Sequence, residues 1–252
     1  MKRFDSIRPY TDSEVQSVLQ QLSTNSDVVK AFISATKFGF LTKIPFSAWI
    51  ASKILQTKIK NIHTINDYQS IFENLVSNMI DTKTSGFTCN GFQNIKPNMS
   101  YLYMSNHRDI TVDPALLNYM LHQNNFKTTN IAVGNNLMSE AWASDLMRLN
   151  KSFIIDRTGK SKREIYQGLN LASEYIEDSI LEKNEPIWIA QKQGRAKDGL
   201  DKTDPALLKM IHLINRKSIP ISDYFNSLCF IPVAVSYEFD PNDLFKANEL
   251  HA

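Results

Sequence analysis

Apolar positions change their spacing partway along the chain. Before about residue 80 they recur three and four apart, and from Gly86 onward short solid apolar runs alternate with helical stretches. Val15, Val18, Leu19 and Leu22 predict a helix opened by the capping box Thr11-Asp12-Ser13-Glu14, whose side chains can satisfy the free N–H groups of a first turn. Asn25-Ser26-Asp27 breaks that pattern, and a second helical stretch from Val28 carries Ala31, Phe32 and Ala35. Tyr68, Ile71, Phe72, Leu75, Val76 and Met79 predict another amphipathic helix from Asp67. The second part reads as strands at Phe87–Phe92, Tyr101–Met104, Asn130–Val133, Ser152–Ile155, Ile187–Ala190 and Leu228–Tyr237. Helical spacing lies between them at 114–121, 137–149, 162–181 and 206–215. Strands alternating with helices predict an α/β fold with a mostly parallel sheet flanked by helices, preceded by an N-terminal helical segment. The division falls between residues 1–85 and 86–252.

The stretch from Phe38 to Lys60 is rich in Phe, Ile and Trp49, carries Lys43, Lys53 and Lys58, and holds no acidic residue. That is the composition of a segment lying in a membrane interface, and equally of a helix pair packed on the main domain with its lysines in water. No apolar run reaches the roughly 20 residues that a membrane-spanning helix needs. The start, MKRFDSIRPY, lacks the apolar core of a secretory signal.

Composition narrows the picture only slightly. With 252 residues, 42% hydrophobic and 21% charged, the chain can build an ordinary core. A net charge of +2 gives no bulk argument for nucleic acid. Two cysteines, Cys89 and Cys229, are too few for a disulfide framework and suit a reducing compartment. The remaining histidines, His63, His122, His212 and His251, are scattered, so no metal-ligand set is expected.

Candidate chemistry gathers where strands hand over to helices. After Tyr101–Met104 comes Ser105-Asn106-His107-Arg108-Asp109, and Asp113-Pro114 opens the next helix, with Asp113 suited to cap it. A histidine with a nearby carboxylate can act as a general base, the carboxylate fixing the tautomer. Asp109 and Asp113 both stand near enough to serve. His107-Arg108-Asp109 also spells a protein-kinase triplet, but Pro114 stands where a kinase needs asparagine and no glycine-rich phosphate loop exists. After Ser152–Ile155, Arg157, Lys160, Lys162 and Arg163 lead into a helix, a cationic setting for a phosphate. After Ile187–Ala190 comes Gln193-Gly194-Arg195, where glycine permits close backbone approach beside a guanidinium. Pro232 within the last apolar run argues for a strand start or an edge strand.

Together these stretches resemble the glycerolipid acyltransferase family, typified by 1-acylglycerol-3-phosphate O-acyltransferases. Its ordered blocks are matched by Asn106-His107-Arg108 with Asp113, by Phe153-Ile154-Ile155-Asp156-Arg157, by Gln193-Gly194-Arg195 and by Ile231-Pro232-Val233. The spacing departs from the family's usual four residues, since five lie between His107 and Asp113, and Gln193 replaces its glutamate. The resemblance implies catalysis by His107 and Asp113, with Arg157, Lys160, Gly194 and Arg195 binding a phosphorylated substrate. It also implies acyl-CoA or acyl-carrier protein as donor, no resident cofactor or metal, a lipid acceptor, no nucleic acid, and a place on the cytoplasmic, inner face of a membrane.

Overall fold

A computed structural model describes residues 3–35, 47–137 and 140–251. The helices are α1 Asp12–Thr24, α2 Ser26–Ala35, α3 Ser47–Ile59, α4 Ile65–Lys83, α5 Val112–Gln123, α6 Ala141–Leu149, α7 Lys162–Glu177, α8 Pro205–Ile211, α9 Ile221–Ser227 and α10 Asp243–His251. The strands are β1 Leu102–Ser105, β2 Asn130–Gly134, β3 Ser152–Ile155, β4 Ile187–Ala190 and β5 Phe230–Val233. They form one parallel sheet in the order β3-β2-β4-β1-β5, so the fold is α/β as expected. β1 lies between β4 and β5, with Met104 opposite Ile189 on one side and Pro232 on the other. Pro232 thus sits on an edge strand, where its missing N–H costs no ladder bond on the open side.

The chain divides into two compact units: 1–8, 75–135 and 153–252 in one, and 9–74 with 136–152 in the other. In the first, alternate strand residues supply two faces. Leu102, Met104, Phe153, Ile155, Ile187 and Ile189 pack under α7, α8 and α9 through residues such as Ile176, Ile211 and Tyr224. Tyr103, Ile131 and Trp188 point the other way, toward Leu121 of α5. Ile154 N–H donates to the carbonyl of Ile7, which ties the N-terminal turn to edge strand β3.

The second unit is helical. Val15, Val18, Leu19 and Leu22 of α1 pack with Ile59, Tyr68 and Leu149, and the expected capping bond runs from Thr11 N–H to the Glu14 carboxylate at 2.8 Å. Of the lysine-dotted stretch 38–60, residues 38–46 lie outside the described residues and 47–59 form α3.

Several local expectations change. Phe87–Phe92 is not a strand: Gly91, at φ +104°, turns the chain into a short 3-10 turn, and the Phe92 ring packs 5.6 Å from that of Phe126. The last strand begins only at Phe230, because Leu228 still closes α9 and Cys229 takes φ +48°. α10 has no counterpart among the predicted elements, since the side chains it buries give no apolar period.

Candidate active site

β1 delivers the chain to a tight turn that holds His107. Asp109 shapes this turn: its Oδ1 accepts the N–H groups of Thr111 and Val112, both at 2.8 Å, and its Oδ2 accepts Asn242 Nδ2 at 2.7 Å. Asp109 therefore caps the start of α5, the task the sequence suggested for Asp113. Relieved of capping, Asp113 turns back toward the loop from the first helical turn. Its Oδ2 lies 3.0 Å from His107 Nδ1 and accepts the N–H groups of Arg108 at 2.7 Å and Asp109 at 2.9 Å. Its Oδ1 accepts the Tyr237 hydroxyl at 2.7 Å. The five-residue spacing is thus absorbed by a turn whose amides converge on the carboxylate.

Asp113 is fully buried. Burial pushes its pKa up, but the bonds from His107, Tyr237 and the Asp109 and Arg108 amides prevail and hold it below the usual carboxylate range. Tyr237 is driven far above the ordinary phenol range by burial first, then by its bond to Asp113, and stays a donor. An ionised carboxylate only accepts, so the proton shared with His107 belongs on Nδ1, leaving the lone pair on Nε2. The imidazole edge packs against the Trp188 ring at 5.9 Å, and Trp188 Nε1 is itself held by Ser105 Oγ at 3.0 Å.

Hydrogen bonds join the other strand-end loops to this turn. Asn106 pairs with Val235 as a backbone would, donating to its carbonyl at 2.8 Å and accepting its N–H at 2.7 Å. Arg108 donates to Asp198 O at 2.7 Å and Asp201 Oδ2 at 2.6 Å, and lies 3.6 Å from Asp240. Ala196 N–H donates to the carbonyl of His107 at 2.7 Å. Arg157 Nη1 reaches Gln193 Oε1 at 2.7 Å, so the glutamine links the loops after β3 and β4. The carboxyl ends of β1, β3, β4 and β5 therefore meet at one sheet edge, where ligands of open α/β sheets bind.

The cationic residues differ in their engagement. Arg157 keeps its Nε buried without a hydrogen-bond partner among the described residues. Burial pulls its pKa down, against the opposing charge of Asp204. Lys160 is exposed; its backbone N–H donates to Glu164 at 2.6 Å, and the Glu164 N–H is capped by Ser161 at 3.2 Å. The amides entering α7 are thus partly used by the helix's own residues. Gly194 sits at φ +72°, a conformation that favours glycine. Arg195 contacts Glu249 of α10 at 2.5 Å.

Residues 86–204 match the model of the acyltransferase family. The chain carries an acyltransferase domain. The match covers the His107 turn, Arg157 and Arg195, and it agrees with the resemblance read from the ordered blocks. Comparison with curated proteins found no match. An acyltransferase activity follows at this general level.

Around this acyltransferase domain, the residues invisible to motif reading are Tyr237, Asn242 and Glu249. Each reaches the site from beyond residue 204, and each is marked only by its contact: Tyr237 on Asp113, Asn242 on Asp109, Glu249 on Arg195. Arg108 was legible as part of a block, but its bonds to the 198–201 loop and to Asp240 were not.

Proposed function

We propose that the chain moves a fatty acyl group from an acyl thioester, on coenzyme A or an acyl-carrier protein, to a hydroxyl of a glycerophosphate or lysophospholipid acceptor. The observation that carries the reading is the buried His107–Asp113 pair at the carboxyl edge of the sheet, within the matched acyltransferase domain. His107 Nε2 takes the proton of the acceptor hydroxyl while Nδ1–H stays on Asp113. The oxygen attacks the thioester carbonyl, the tetrahedral adduct collapses with cleavage of the C–S bond, and the proton passes from Nε2 to the departing thiolate. The thioester is already activated, so the scheme has no acyl-enzyme. General-base help of this kind contributes about 100- to 10,000-fold.

Arg157 binds the acceptor's phosphate, using its unpaired Nε, with Lys160 and Arg195 adding charge and Gly194 admitting the substrate to the backbone. Fixing the phosphate places the hydroxyl near His107, the usual return of holding a remote group. The chain works at a membrane surface. No helix among the described residues is long and apolar enough to cross a membrane. α3 exposes Trp49, Ile50 and Ile54 beside Lys53, which supports attachment from one side.

The deciding experiment follows thiol release from a long-chain acyl-CoA and an acyl-carrier-protein donor. Glycerol 3-phosphate, lysophosphatidate and an amino-acid lipid are offered in parallel, with His107→Ala beside the natural chain. Release that needs a phosphorylated acceptor and vanishes in the variant supports the reading. Release with the amino-acid lipid alone would replace it with transfer to an acceptor lacking phosphate, a reading favoured by the engagement of Arg195 with Glu249.

A further inference from the structure

α10 is built the wrong way round for a packed helix. Its apolar side chains Leu244, Phe245 and Leu250 are 76%, 67% and 58% exposed, and the one residue it buries is Lys246. Positions 242, 246 and 249, three and four apart, face the domain and are all polar. The helix is held through Asn242 on Asp109, Lys246 on Asp240, and Glu249 on two cations. Those cations are Arg195, at 2.5 Å from Glu249 Oε1, and Lys197, at 3.0 Å from Oε2. Each oxygen of the carboxylate meets one cation, the arrangement in which a bound anion would be gripped.

We infer that Arg195 and Lys197 form an anion subsite for a phosphate monoester, and that Glu249 occupies it in the free protein and must leave when the ligand binds. The inference rests on the acyl-transfer reading for its ligand class and adds Lys197 and Glu249 to that site. Three observations carry it. The subsite cations are partly exposed, with side-chain accessibilities of 20% and 43%, so a soluble ligand can reach them. No buried apolar side chain anchors α10, so withdrawing Glu249 breaks polar contacts that water replaces. The Ala196 N–H between the two cations donates to the His107 carbonyl, which ties the subsite to the catalytic turn.

The exchange has a clear direction. A phosphate monoester carries close to two negative charges and three acceptor oxygens near neutral pH, against one charge and two oxygens on Glu249. It therefore prevails over the internal carboxylate, whereas a neutral acceptor gains nothing from displacing it. Glu249 lowers the apparent affinity for every phosphorylated ligand by the fraction of time it holds the cations. It lowers the affinity for phosphorylated molecules and leaves that for unphosphorylated ones unchanged.

The test is calorimetric titration of the full chain with glycerol 3-phosphate and, separately, with coenzyme A, each compared with the counterpart that lacks its phosphate monoester, glycerol or dephospho-coenzyme A, which keeps only the diphosphate. Glu249→Gln should tighten binding of a phosphate monoester roughly fivefold, the scale of an exposed ion pair, and leave the counterpart unchanged. Adding Arg195→Ala to Glu249→Gln should remove that gain. Tightening for glycerol 3-phosphate assigns the subsite to the acceptor, and tightening for coenzyme A assigns it to the donor; either supports the inference. Equal affinities in the natural chain and Glu249→Gln for both titrants overturn it, as does a gain that survives loss of Arg195. Because binding is read without turnover, tightened binding in a chain that transfers no acyl group would end the acyl-transfer reading and leave the subsite standing.

Discussion

Asp113 combines full burial with four donors, and that combination makes consequences at single residues concrete. His107→Ala should lower acyl transfer by about 100- to 10,000-fold while the circular dichroism spectrum is kept. A variant retaining full turnover would exclude His107 as the base. Tyr237→Phe removes the partner of Asp113 Oδ1 and leaves a buried, charged acceptor short of a donor, at a cost of about 1.5–3 kcal/mol. Urea unfolding measures this, and a loss under half a kcal/mol, on the order of a surface change, would count against the bond. The same carboxylate predicts an acid limb. Its folded pKa lies below the unfolded value of about 3.9, so its contribution is present above that pH and fades as pH falls through the folded value. From roughly pH 5 downward, stability of the natural chain should therefore fall more steeply than that of Asp113→Asn. Parallel curves would show that Asp113 does not titrate differently on folding.

At the scale of elements, α7 and the loop after β3 depend on close approach. A Cβ on Gly168 would stand 2.5 Å from the carbonyl oxygen of Asp156, a backbone atom that cannot swing aside. Asp156 in turn holds its loop by accepting Thr158 N–H at 2.9 Å and Asn135 Nδ2 at 2.6 Å. Gly168→Ala should thus cost about 1–3 kcal/mol through overpacking and shift the neighbouring Arg157. Thermal unfolding reads the first effect, and a raised KM for a phosphorylated acceptor with kcat little changed reads the second. An unchanged melting temperature would mean the helix relaxes away freely. The strands show why elements were largely legible and their ends were not. Solid apolar runs at 130–133, 152–155 and 187–190 marked buried parallel strands because both faces of the sheet are covered. Phe87–Phe92 reads Phe-Thr-Cys-Asn-Gly-Phe and contains Gly91, whose positive φ diverts it.

For the molecule as a whole, attachment to a membrane is the behaviour to measure. Trp49 is 63% exposed on α3, and indole side chains favour the lipid–water boundary. Trp49→Ala should reduce co-sedimentation with vesicles containing anionic lipid, and the residual binding should fall further as salt is raised. Binding indifferent to both changes would exclude this helix as the contact. The contact units also cut across the sequence: 136–152, with α6, group with the N-terminal helices, although they lie between β2 and β3 in the chain. No local pattern reports that grouping, because Leu149 looks the same whether its partners are strands or Val15 and Tyr68.

The sequence by itself determined the fold class and the residues at the strand ends, since apolar period and polar punctuation are local properties and the ordered blocks survive as short words. Only the tertiary structure decided which aspartate faces His107, because Asp109 and Asp113 differ in what their neighbours' amides leave free for them. It also brought Tyr237 to Asp113, 124 positions away, and Glu249 to Arg195, 54 positions away, contacts made where β5 and α10 return to the edge that β1 began. Strand order, and with it every such meeting, is set by how the whole chain buries its two sheet faces, and no single stretch carries that information.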